Sequence, residues 1–298
     1  MNLIKNALIY KIDLPNADAL RKHFSEKQFT EIGACDYCAY GFVPCQEGDL
    51  VSVFNGGIAF SVRYDQKILP ASVINTEVNE RVKRIEEAEG IRVGRKWRRE
   101  IKEMAIPELL AKSHVATKII TSFYHRETRT LIVPVSSKKL AGVIAGLLVQ
   151  AVGAAKTETI NVSDVKGGLT TRLRTYLTAE DDSAMTAFGS FALNPDVWLK
   201  GEGGKVTYQI ASIDNGSEGI VNAIAAGLKV DAVRLGFVGV SFKLTSDFAL
   251  KGVRFSDTEP QEHQTSVDEW MHEASVQTLQ VVSAVEELCR LFDYQVAA

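Results

Sequence analysis

The chain has 298 residues, of which 46% are hydrophobic and 24% are charged, and its formal net charge is −3. A chain of this length and composition can bury a substantial core, so we expect one large or two ordinary globular domains. The small negative net charge excludes a uniformly cationic nucleic-acid binder, so any affinity for nucleic acid must come from local segregation of charge.

Alternating apolar residues predict several strands in the first half of the chain. These strands lie near Leu3 to Ile12, Leu50 to Phe54, Ile58 to Tyr64, Ala116 to Tyr124 and Thr130 to Val135. The first of them carries a lysine within its apolar run and is followed by no small-residue cleavage site. It therefore predicts a strand rather than a signal peptide, and we expect a cytosolic protein.

Helices are predicted between these strands. One extends from Asn16 to Lys27, and another begins at Pro70 and continues to Glu89 with apolar residues at helical spacing. Gly90 and Gly94 are expected to break or bend the helix before the next segment.

The most hydrophobic stretch extends from Leu140 to Ala155 and has only Gln150 as a polar side chain. A helix of about 16 residues is about 24 Å long, which is short of the roughly 30 Å hydrocarbon layer. Residues Ser136 to Lys139 are typical of a cap and a first helical turn. We therefore predict a buried helix and no membrane span.

The second half of the chain again mixes strands and helices. Strands are predicted at Met185 to Leu193, Lys205 to Ile213, Leu228 to Leu244 and Phe248 to Phe255, and a short helix at Glu218 to Ala226. Ser266 and Glu269 form a capping box before a long C-terminal helix with an apolar stripe. The pattern predicts an α+β fold. We expect a single unit over residues 1–298, with a subdivision into 1–155 and 156–298 as the alternative.

A basic segment between Ile91 and Lys102 holds six basic residues and one acidic residue, Glu100. At about 100° per residue, an apolar side is predicted to consist of Val93, Trp97, Ile101 and Met104. The basic residues then face solvent or a polyanion. With two cations from the preceding helix, the candidate contacts are Lys83, Arg84, Arg92, Arg95, Lys96, Arg98, Arg99 and Lys102. The alternative is a solvated helix face, which is the commoner meaning of a charge run.

Known chemical motifs are scarce. Cys35 and Cys38 form a lone C-x-x-C, which we interpret as reduced structural thiols, with a zinc site that uses His23 or a redox role as alternatives. The glycine-rich Gly201 to Lys205 lacks the spacing of a phosphate loop, and no serine elbow or histidine cluster is present. We therefore predict no enzymatic activity, no cofactor and no metal.

Four separated segments resemble the RdgC family of bacterial recombination-associated proteins. They are IKNALIYKI at Ile4 to Ile12, GFVP at Gly41 to Pro44, KILPASVI at Lys67 to Ile74, and LKGVRFSD at Leu250 to Asp257. The resemblance implies RdgC-like mixed sheets with long helices, and subunits that pair into a ring-shaped homodimer. It also implies a cytoplasmic, nucleoid-associated protein that binds double-stranded DNA with little sequence preference and restrains RecA.

The chain departs from the family pattern at three places, and we interpret it as a divergent, prophage-borne relative. Phe42 and Cys45 replace a tryptophan and a proline, and Leu110 to His114 replaces a segment that contributes to ring closure in relatives. Tyr208 to Ile213 is largely uncharged where relatives are basic. We expect a duplex DNA-binding protein that modulates recombination. The alternative is a protein-interaction scaffold of the same fold that has weak or no DNA binding.

Overall fold

A computed structural model describes residues 1–46, 48–153, 157–159, 165–179, 186–201, 207–210, 217–256 and 266–293. These residues form both helices and a large antiparallel sheet, so the predicted α+β class is confirmed. The strands are β1 (Asn6–Ile12), β2 (Cys38–Val43), β3 (Ser52–Phe54), β4 (Gly57–Lys67), β5 (Val115–His125), β6 (Thr130–Val133), β7 (Thr157–Thr159), β8 (Ala192–Lys200), β9 (Thr207–Ile210), β10 (Lys229–Phe237), β11 (Val240–Thr245) and β12 (Leu250–Phe255). The helices are α1 (Ala17–Ser25), α2 (Ala71–Glu89), α3 (Arg95–Ala111), α4 (Lys138–Val152), α5 (Val165–Thr178), α6 (Ser217–Ala225) and α7 (Val267–Leu291).

The strands form one sheet of twelve, in the order β2-β4-β5-β6-β1-β12-β11-β10-β8-β9, with β3 also paired to β4 and β7 to β1. Each strand in it is antiparallel to its neighbours. β1 lies near the middle and joins the N-terminal strands to the C-terminal strands through its pairing with β12.

The sheet carries apolar clusters on both faces. Successive side chains of a strand point to opposite faces, and Leu8 and Tyr10 of β1 pack with α1 and α4, whereas Ala7 and Ile9 belong to the cluster that includes α5, α6 and α7. The central strands are therefore buried on both sides. α4 lies in the core at Ala141, Ile144 and Leu148, as predicted for a buried helix.

The connection between β4 and β5 is a helical hairpin. These two strands pair from Gly57 opposite His125 to Lys67 opposite Val115. They are connected by α2 and α3 instead of by a short turn. A separate apolar cluster holds α2 against α3, with Ile74, Val78, Val82 and Ile101 at its centre. We call residues 71–111 the helical arm. Because its cluster contains no residue of the sheet, the arm has its own small core.

The predicted strand at Met185 to Leu193 is wrong at 186–191 and right only at its last two residues, Ala192 and Leu193, where β8 begins. The chain turns at 186–190, Gly189 has a φ of +56°, and the strand in this region is β8. β8 contains Pro195, a residue that is rare inside strands because it cannot donate to the ladder. It fits here because β8 and β10 have an irregular register around it, and β9 pairs with β8 only from Val197 onward.

Other elements were predicted in part. The run from Leu228 to Leu244 is a hairpin of two strands, β10 and β11, and the predicted strand at 205–213 is seen as β9 within its described residues. β2, β7 and α5 were missed. Asp181, Asp182, His263 and residues 202–206 and 211–213 lie outside the described part of the chain. Within the part that is described, no helix has the length and hydrophobicity needed to cross a membrane.

Candidate nucleic-acid interface

The tip of the helical arm is formed by two glycines that end one helix and begin the next. Gly90 takes a left-handed conformation with a φ of +68°, and its N–H donates to the Glu86 carbonyl. Gly94 is the N-cap residue of α3. The predicted helix break is therefore confirmed, and it places residues 90–94 at the end of the arm opposite the sheet.

The apolar side of α3 differs from the prediction at one position. Ile101 is buried, and Val93 and Trp97 are half-buried against α2 as expected, but Met104 is 59% exposed. The buried position is Ala105, because the contact with α2 follows steps of four residues from Val93. Ala105 is fully buried, while Met104 faces solvent.

The predicted contact residues are all exposed, and half of them have a polar partner on the arm. Three are ion-paired at N to O distances of 2.9 to 3.7 Å: Lys83 with Glu87, Arg84 with Glu80, and Arg99 with Glu103. Arg98 donates to the Asn79 side-chain oxygen on α2. These four cations are partly satisfied within the arm.

The remaining four predicted contacts are Arg92, Arg95, Lys96 and Lys102. None of them has an ion pair among the described residues. Arg92 lies in the tip, Arg95 and Lys96 lie in the first turn of α3, and Lys102 lies about two turns further along. We call Arg92, Arg95 and Lys96 the tip cations.

The start of α3 lacks a side-chain cap. Its N-cap residue is Gly94, which offers no side-chain acceptor, and its first turn holds no acidic residue. The first amide groups of a helix have no partner within the helix, and the macrodipole there favours an anion. Arg95 and Lys96 are cations at this positive end, so each is unfavourable for helix stability by about 0.3 to 1 kcal/mol. A bound phosphate would remove both unfavourable features.

The opposing helix limits where the surface is positive. The last turns of α2 carry Glu86, Glu87 and Glu89, and the Glu86 carboxylate accepts a hydrogen bond from the Val93 amide at 2.9 Å. The positive surface of the arm is therefore on α3 and on the loop at the tip. An approaching polyanion is expected to follow α3 rather than α2.

The cysteines show no metal site in the described part of the chain. Cys35 and Cys38 are exposed free thiols, whereas Cys45 and Cys289 are half-buried. No group of three or more histidine, cysteine or acidic side chains is arranged to hold a metal ion among the residues described. Burial raises the pKa of Cys289 to about 11, so this thiol is a poor nucleophile at neutral pH.

The fold and this site define the class of the protein. It is an α+β protein with a large antiparallel sheet and a basic helical arm. A family model described as "Putative exonuclease, RdgC" matches residues 3–295. The chain belongs to this RdgC family, as the sequence motifs predicted.

Curated relatives carry the name Recombination-associated protein RdgC. One from Neisseria meningitidis serogroup C (strain 053442) is 27% identical over 265 residues, which cover 87% of this chain and 85% of the relative. Another from Herminiimonas arsenicoxydans is 27% identical over 255 residues, which cover 84% and 82% of the two chains. One from Bordetella pertussis is 25% identical over 257 residues, with 84% and 83% covered. The family description names an exonuclease, whereas these names state an association with recombination.

Proposed function

We propose that this protein binds duplex DNA without sequence preference and modulates homologous recombination. The observation that carries the proposal is the group of tip cations, which have no ion pair with a described residue and lie beside the uncapped start of α3. Backbone amides at a helix start and arginine or lysine side chains are the usual ligands of DNA phosphates. The names of the relatives, which refer to recombination, support the second part of the proposal.

Phosphate contacts position a protein on DNA but carry no sequence information. Sequence is read by side chains that enter a groove and meet base edges, often from a recognition helix. On the arm, Lys102, Arg99 and Arg95 are long flexible cations, and acidic residues accompany them along α3. This composition fits contacts with a backbone rather than bidentate recognition of bases.

We also propose a cytoplasmic, nucleoid-associated protein that acts on recombination by limiting the access of RecA to duplex DNA. In this proposal the role is occupation of the duplex and needs no catalytic step, cofactor or metal. Residues 1–298 then act as a single unit, for which the pairing of β1 with β12 is the structural support.

We expect a homodimer in solution, with subunits that pair into a ring. The motivation is family membership, together with exposed apolar side chains such as Ile119, Ile68 and Val115 on and beside the ribbon of β4 and β5. Light scattering at micromolar concentration should give about twice the chain mass of 32.7 kDa. A mass equal to one chain would contradict the dimer.

The DNA-binding proposal is tested by a salt titration with duplexes of two unrelated sequences. If about four to eight phosphates are neutralised per dimer, the slope of log affinity against log salt should be about −4 to −7. The two sequences should bind with equal affinity. A flat slope, or a preference of more than about a hundredfold for one sequence, would contradict binding that is dominated by phosphates.

A protein-interaction scaffold is the second candidate. It is favoured by the net charge of −3 and by the exposed Met104 and Ile91 of the arm. A scaffold would show no salt-dependent binding to either duplex, so the same titration separates the two candidates.

A further inference from the structure

One face of the sheet is covered at one end and open at the other. The side chains of Asn6, Leu8 and Tyr10 lie on one face of β1. Over the N-terminal strands, α1 and α4 cover this face. Asn6 lies opposite Lys251 of β12, so Lys251 points to this same face. In β8 and β10 to β12, the helices α5, α6 and α7 pack on the other side. Among the described residues, no helix belongs to an apolar cluster on the opposite side of these four strands, and we call that surface the open face.

The open face carries a row of cations across three neighbouring strands. Arg234 of β10 lies directly opposite Lys243 of β11, and Lys243 lies directly opposite Lys251 of β12. Arg254 lies opposite Ser241, close to the end of this row. On β12, Leu250 and Val253 are buried, while Lys251 and Arg254 are exposed. Like charges that face each other across strands destabilise a sheet, so sheet stability does not explain why Lys251 lies opposite Lys243.

The inner members of the row are held in place by neighbours on β8. Arg234 Nε donates to Asp196 at 2.8 Å, and Lys243 Nζ lies 3.3 Å from the centre of the Trp198 ring. Burial lowers the pKa of Lys243, although the nearby charge of Asp231 opposes that shift. The cation–π contact nevertheless stabilises the charged form of the ammonium group.

The outer members of the row have no such partner. Lys251 and Arg254 are exposed and form no ion pair with any described residue. Strands lie about 4.8 Å apart, so the row from Arg234 to Lys251 is about 10 Å long.

We propose that the open face is a second contact surface for the phosphodiester backbone of nucleic acid, separate from the helical arm. The identity of the ligand rests on the proposed function, whereas the location rests on the row of Arg234, Lys243, Lys251 and Arg254. β12 is three strands away from β5, which carries the arm, so the two surfaces can be changed independently.

The double variant Lys251→Gln/Arg254→Gln tests this surface. Each lost phosphate contact makes the salt slope shallower by about 0.9, so the slope for a duplex of about 30 base pairs should change by about two. Affinity at about 0.1 M salt should fall at least about tenfold. The matched control is Lys22→Gln/Lys27→Gln, which removes two exposed cations in and just after α1, at the other end of the sheet. Equal affinity of the two double variants would overturn the proposal.

Tryptophan fluorescence provides a readout that is local to the open face. Trp97→Phe removes the arm tryptophan and leaves Trp198 beside Lys243 and Trp270 in the core, where it is 5% exposed. Addition of the duplex to this variant should change the emission of Trp198. The change should be lost when Lys251→Gln/Arg254→Gln is added. An emission that does not respond to saturating duplex would contradict contact at this face.

The two DNA proposals fail in different ways. A variant of the tip cations could lose binding while the Lys251→Gln/Arg254→Gln variant binds fully. This result would support DNA contact at the arm and would overturn the proposed contact at the open face. Absence of duplex binding by the unmodified protein would overturn the proposed function itself. Vesicles that contain anionic lipid serve as the last comparison. A double variant that loses vesicle binding but retains duplex binding would show that the open face serves a membrane instead.

Discussion

Replacement of Arg92, Arg95 and Lys96 together by Gln should weaken duplex binding on the order of a hundredfold at about 0.1 M salt. Each of these tip cations is exposed and without an ion pair in the described structure, so each is available to displace a counterion from DNA. Three lost contacts should make the salt slope shallower by roughly two to three units. Fluorescence anisotropy with a labelled duplex, repeated at several salt concentrations, measures both quantities.

The matched control for the tip cations is Lys83→Gln/Arg84→Gln/Arg99→Gln. It removes the same total charge from the same arm, but each of these cations has a glutamate partner. Surface ion pairs contribute about 0 to 1 kcal/mol, so both triple variants should remain folded. Circular dichroism should therefore show equal helix content. If the control loses as much affinity as the tip variant, DNA contact is spread over the arm and does not depend on the uncapped start of α3.

Local features of the fold could be predicted from the sequence. The capping box of Ser266 and Glu269 is present at the start of α7, with each side chain bonded to the backbone of the other residue. Gly90 ends α2 because it can take a positive φ without strain from a side chain. These features depend on residues within one or two turns, so a sequence pattern contains the information that they require.

Features that depend on distant pairing could not be predicted in the same way. β8 was predicted only at its first two residues. Its Pro195 is unusual in a strand, and only the irregular register with β10 shows why it fits. The cations of the open face are separated in sequence by short apolar runs and form a row only through strand register. Arg234, Lys243 and Lys251 therefore resemble ordinary polar positions of alternating strands until the pairing is known.

The arm shows how much of the candidate site a helical sequence pattern can predict. The eight predicted contacts all lie on the arm and are exposed, but the sequence pattern could not separate the paired cations from the tip cations. A spacing of four residues predicts the ion pairs of Lys83 with Glu87 and of Arg99 with Glu103. The same spacing also predicts a pair of the tip cation Lys96 with Glu100, which is not among the ion pairs of the described residues. The bond from Arg98 to Asn79 joins two helices and depends on how they pack.

Substitution of Gln277 by Leu should destabilise the protein strongly, because this buried side chain of α7 connects the N-terminus to the core. Its Oε1 accepts hydrogen bonds from the Leu3 amide at 2.9 Å and the Ile4 amide at 3.3 Å. Its Nε2 donates to the Met1 carbonyl and, at 2.7 Å, to the Glu273 carboxylate. Leucine has a similar volume but would leave these backbone groups without their partner.

Each buried polar group that loses its partner costs about 1 to 3 kcal/mol, so the free energy of unfolding should fall by about 3 to 5 kcal/mol in Gln277→Leu. Urea denaturation measures this change. Glu273→Gln is the control, because its amide oxygen can still accept from Gln277, and it should cost less than about 1 kcal/mol. The residues that Gln277 holds lead directly into β1, which joins the two parts of the sheet. If Gln277→Leu is as stable as the control, the start of β1 is held by its strand pairing alone.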